Sequence, residues 1–150
     1  MRPPIGSLTN ARRVFEHERS VAPWEIPGNT DIKYVGAGAN RVVYRIGTVV
    51  YKVDKTSESI YSNGGNFDEW NNYLFIQNEK LPAPYRLPRM HAFRLNDDQM
   101  VIAARYIPGE RLNFEDESMD DLMTLLGLYD LSHENIVEYN GHRYLVDVGE

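Results

Sequence analysis

The 150-residue sequence contains no cysteine, which removes disulfides, thiolate zinc sites and a cysteine nucleophile together and suits a reducing compartment. The histidines are few, and His17, His91, His133 and His142 show no paired ligand spacing, so no structural zinc is expected. No stretch approaches the roughly 20 apolar residues of a membrane-spanning helix, and residues 1–6 lack the apolar run of a signal peptide. The expected address is therefore cytoplasmic, with no membrane partner. Basic residues are in the minority, 16 against 22 acidic for a net charge of -6, which argues against sequence-independent binding to nucleic acid. A basic protein surface is a more natural partner. Internal repeats, low-complexity tracts and lipidation signals are also missing.

What is present is an ordinary globular composition, 42% hydrophobic and 25% charged, in a length that fits one domain or two lobes sharing a cleft. Leu8, Ala11, Val14 and Phe15 recur at helical spacing and predict an amphipathic helix over residues 7–19, followed by a turn rich in Pro and Gly at 21–30. Residues 32–35, 42–46 and 48–53 are β-branched and aromatic, with Gly36-Ala37-Gly38 and Gly47 between them, and predict three consecutive antiparallel strands. A helix is expected from Phe67 through Trp70 and Leu74 to about Lys80. Pro82, Pro84 and Pro88 then mark a loop, and a hairpin over 89–95 and 100–107, turned at Asn96-Asp97-Asp98, brings the sheet to five strands. Pro108-Gly109 ends it. Met119, Leu122, Met123, Leu125 and Leu126 predict a further helix, capped by Ser118 with Asp121 in its first turn. Strands at 136–139 and 143–146 flank Asn140-Gly141, a pair suited to a type I′ hairpin.

The chemistry-bearing residues follow the same order. Gly36 and Gly38 join two strands, Lys52 lies on the third, and Glu69 is on the helix after it, with Asp68 as a rival. Asp130-Leu-Ser-His-Glu-Asn135 and Asp147-Val148-Gly149 flank the last hairpin. Two carboxylates and an amide at this spacing can hold magnesium and orient a hydroxyl beside a nucleotide phosphate. An ammonium in mid-strand needs an anionic partner to offset its desolvation, and Glu69 can supply it.

Together these residues resemble the protein-kinase superfamily, from about Ile32 to Glu150. The resemblance implies an α+β, protein-kinase-like fold: an N-lobe with a five-stranded antiparallel sheet and one αC-like helix over residues 31–109, and a reduced C-lobe over 110–150. Residues 1–30 would form an N-terminal helix and linker. It implies ATP and Mg2+ as cofactors and transfer of the γ-phosphoryl group to a serine or threonine of a protein. Asp130 would orient the hydroxyl, Lys52 and Glu69 would position the phosphates, and Asn135 and Asp147 would hold the metal. Gly36 and Gly38 would approach the phosphates. Ala104 would set the pocket depth, the backbone of Arg105, Tyr106 and Ile107 would meet adenine, and Val43 and Leu145 would cover the base.

The chain departs from the family pattern in several places. Arg41 stands where a third glycine is usual and is expected to stiffen the loop or add positive charge near the phosphates. Leu128-Tyr129-Asp130 replaces His-Arg-Asp, Ser132 stands where a lysine is common, and Val148 replaces phenylalanine. Only about twenty residues separate Gly109 from Asp130, and the sequence ends at Glu150 before any activation segment, as expected of either a piece of a longer kinase or a naturally minimal one. Such a reduced form is similar to bacterial effector and bacteriophage kinases, which extends the expected address to a host cell. Two other readings stay open: a pseudokinase that binds a host or cellular protein, and a small-molecule phosphotransferase of the aminoglycoside-kinase type.

Overall fold

The structure, a computed structural model, describes residues 4–19, 30–38, 40–55, 65–78, 80–127 and 135–146. Helix α1 (Leu8–Arg19) is followed by strands β1 (Lys33–Ala37), β2 (Arg41–Ile46) and β3 (Val49–Asp54), then helix α2 (Asn66–Ile76). Strands β4 (Tyr85–Arg86), β5 (Met90–Asn96), β6 (Gln99–Arg105) and β7 (Glu110–Arg111) lead to helix α3 (Glu117–Leu126), and strands β8 (Ile136–Tyr139) and β9 (His142–Leu145) follow it. The architecture is α+β, with a five-stranded antiparallel sheet in the order β1-β2-β3-β6-β5.

Period-two alternation decides what each face of this sheet does. Val42, Tyr44, Tyr51, Val53, Val101 and Ala103 point to one face and pack against Ala11 and Val14 of α1, both fully buried. Arg41, Val43, Val50, Lys52, Ile102 and Ala104 point to the other. There Ile102 and Ala104 pack with Met90 against Trp70 and Tyr73 of α2, while the rest face a cleft. Interior strand β6 is buried from Gln99 to Ala104, as a strand covered on both faces must be. The hairpin before it turns where the sequence predicts, with Asn96 Oδ1 accepting the Asp98 N–H at 2.9 Å.

A second sheet, β4-β9-β8-β7, has two two-residue strands, β4 and β7, inside stretches that read as loops, and β4 pairs parallel to β9. Its hairpin turns at Asn140 and Gly141, with φ of 51° and 78°, the left-handed pair a type I′ turn needs. Its inner face, Tyr85, Ile136 and Leu145, shares a core with Met119, Leu122 and Leu126 of α3.

Both later helices differ from expectation at an end. Asp116, not Ser118, caps α3: its carboxylate accepts the Met119 N–H at 3.2 Å, and Ser118 donates to the same carboxylate at 2.6 Å. The Ser118 hydroxyl and Arg143 hold Asp116 below the usual carboxylate range. Helix α2 stops at Ile76 rather than near Lys80, because the Asn78 side chain donates back to the Leu74 carbonyl at 3.1 Å and competes with another helical turn.

Candidate active site

Lys52 lies on β3, opposite Val43 of β2 and Ile102 of β6, at 5% exposure. Its Nζ is 2.5 Å from Oε1 of Glu69, which α2 presents fully buried, and it also donates to the Val146 carbonyl at 2.7 Å. The expected pair forms, with Glu69 rather than Asp68 as the partner. Two residues missed as partners complete the network. Arg41 NH1 lies 3.1 Å from Glu69 Oε1 and its NH2 3.3 Å from Oε2, and Asn66, at the start of α2, donates to the carbonyls of Lys52 and Met100 at 2.8 Å each. Asp54, across from Arg41 on β3, accepts the Asn66 backbone N–H at 3.0 Å. Burial pushes the Asp54 carboxyl up, against the pull of that N–H and of the Arg41 charge.

Lys52 and Arg41 line a cleft of about 490 Å³. Its roof is Gly36, Ala37 and Gly38 at the end of β1, where the register slips between Tyr34 and Gly36. A Cβ on Gly36 would meet nothing within 4 Å, so packing does not require glycine there, and its effect is to leave the roof bare for a close-approaching ligand. Ala104, Arg105, Tyr106 and Ile107 form the back wall. The Arg105 and Tyr106 amides donate to the carbonyls of Arg89 and Thr48 at 2.9 and 2.8 Å, so those two N–H groups are bonded within the protein itself.

Val43 lines the cleft as expected, but Leu145 does not: it is fully buried in the second core. The reason is again alternation along a strand, since its neighbour Val146 takes the cleft side together with Val137. Asn135 stands at the cleft edge, its carbonyl accepting the Val146 N–H at 2.9 Å, which brings it next to the end of β9. Asp130 and Asp147 lie outside the described residues. Among the described lining residues there are four cations, Arg41, Lys52, Arg105 and Arg111, and no acid. Such a cleft is shaped and charged for an anion with an apolar part. As for magnesium, no group of three His, Cys, Asp or Glu converges among the described residues. Asn135 is a hard oxygen donor of the kind that ion takes.

No protein-family model matches the sequence, and no curated protein matches it. Solved structures do match. One is a choline/ethanolamine kinase family protein from Mesorhizobium loti, 15% identical, with a TM-score of 0.48 over 95% of this chain and 65% of that one. The chain thus spans about two thirds of that protein's length.

Proposed function

We propose that the cleft binds Mg-ATP and that the protein is a phosphotransferase of protein-kinase-like fold, acting on a serine or threonine of a protein. The observation that carries this reading is Lys52: a nearly buried ammonium, fixed by the carboxylate of Glu69, on the wall of a cleft whose described lining residues include no acid, beneath a bare glycine roof. A cation so placed is oriented for a phosphate. In this reading α2 is the αC-like helix, residues 31–109 are the N-lobe and residues 110–150 belong to the C-lobe. Val43, Val137 and Val146 supply apolar contact for a base, and the small Ala104 leaves it depth.

Asn135 and Asp147 would hold magnesium, which supplies charge neutralisation at the phosphates. Asp130, five residues before Asn135, would accept a hydrogen bond from the substrate hydroxyl and aim its oxygen at phosphorus. The chain's own contribution is then mainly position and electrostatics.

Transfer of labelled phosphate from ATP, to the protein itself or to lysate proteins, tests the reading in wild type beside Lys52→Ala and Asp130→Ala. Activity is expected in the wild type, with loss of about 100-fold or more in both variants. Equal incorporation in all three would remove the enzyme claim. Transfer to a sugar or amino alcohol but never to protein would replace the substrate class. Nucleotide binding without transfer would leave a binding protein.

A further inference from the structure

We propose that a second hollow, beside the cleft and distinct from it, binds a phosphate-class dianion, either free phosphate or the phosphoryl group of a phosphomonoester. The hollow has a volume of about 500 Å³. Arg86, Arg89 and Arg105 line it together with Thr48 and Tyr144, and no acid is among its described lining residues. It shares Pro88, Arg105 and Ile107 with the cleft, so the chain at 105–107 walls both. Lys52, Arg41 and the glycine roof belong to the cleft alone.

Segments far apart in sequence meet here, and backbone contacts hold them together. The Arg105 amide donates to the Arg89 carbonyl at 2.9 Å and the Tyr106 amide to the Thr48 carbonyl at 2.8 Å, while Arg86 of β4 pairs in parallel register with Tyr144 of β9. The places of the three arginines are thus set before a ligand arrives, which lowers the ordering cost of binding. Like charges sharing one hollow repel, and neither Arg86 nor Arg105 forms an ion pair with another described residue. An anion removes that repulsion. Arginine stays protonated at any working pH, its planar fork matches a phosphoryl group, and the Thr48 and Tyr144 hydroxyls can donate to further oxygens. The volume exceeds what one phosphate ion fills, and Ile5 and Leu87 on the wall offer apolar contact to an esterified carrier.

Calorimetric titration of the full chain with inorganic phosphate and with phenyl phosphate tests this in wild type, Arg86→Gln, Arg89→Gln, Lys52→Met and Arg94→Gln. The last removes the same charge from an exposed position on β5, outside both hollows. Arg86→Gln and Arg89→Gln are each expected to weaken binding about tenfold, and should one fail to fold the other decides. Lys52→Met and Arg94→Gln should stay within about threefold of wild type. Weakening confined to the Arg86 and Arg89 variants supports the proposal, and the probe that binds more tightly tells whether the site takes free phosphate or an ester. Equal weakening in Arg94→Gln would mean diffuse attraction without a site. Loss in Lys52→Met with none in Arg86→Gln would put the anion in the cleft. A wild type that binds neither probe at millimolar concentration would leave the hollow without this ligand. Each of these three results would overturn the proposal, whether or not the cleft binds a nucleotide.

Discussion

Glu69 is one buried carboxylate serving two buried cations, and this inequality sets what each substitution costs. Glu69→Ala leaves Lys52 and Arg41 facing each other without their anion, and we expect it to lower the unfolding free energy by about 3–5 kcal/mol. Lys52→Met keeps the apolar stem and leaves Glu69 bonded to Arg41, so its cost should be about 1 kcal/mol. Urea unfolding of the two variants beside wild type gives the difference directly. Equal costs would mean that Arg41 does not carry the carboxylate. The Lys52–Glu69 pair was legible in the sequence because both residues belong to a recognisable order of chemical groups. Arg41 was legible only as a stiffening of the loop or an extra charge. That its side chain meets Glu69 depends on register: Arg41 falls two residues from Val43, the partner of Lys52, and so shares its face. Leu145 and Val146 teach the same lesson, since a one-residue difference along a strand exchanges core for cleft.

At the scale of elements, the long strands and helices announce themselves by period, and β4 and β7 do not. Two residues carry no alternation, and these strands exist because β9 and β8 offer edges for them to join. The Pro108-Gly109 break after β6 has a clearer structural purpose than ending a hairpin. A Cβ on Gly109 would lie 1.9 Å from the Glu138 carbonyl oxygen of β8, a backbone atom that cannot yield without moving the strand. Gly109→Ala should therefore push β7 off β8 and destabilise the chain by about 1–3 kcal/mol or more. The local signature is sharper than the global one. The Leu112 amide, which donates to the Ile136 carbonyl at 3.1 Å, should lose hydrogen-exchange protection while the β3–β6 ladder keeps its own. Uniform loss across both sheets would show that the two unfold as one unit and that the contact is not local.

Across the whole molecule the charge is unevenly spent. The chain carries a net -6, yet the described walls of its cleft hold four cations and no acid. Low-dielectric walls concentrate such a field, and an anion bound there gains from it in a way that salt weakens. The cleft also joins both sheets, since Lys52 of β3 donates to the carbonyl of Val146 just past β9. A ligand on Lys52 therefore bears on contacts from both sides, and binding should register as global stability. At an ATP concentration of about 100 times Kd the gain is about 2.7 kcal/mol, which for a chain of this size raises Tm by roughly 5–10 °C. Adenosine, which offers the apolar contacts without the phosphates, should give a far smaller rise, and the ATP shift should shrink as sodium chloride is raised from about 50 mM to about 500 mM. A shift of equal size for adenosine and ATP, insensitive to salt, would place the binding energy in the valines of the cleft. The cations would then have no part in holding the ligand, and the phosphotransfer reading would lose the charge on which it stands.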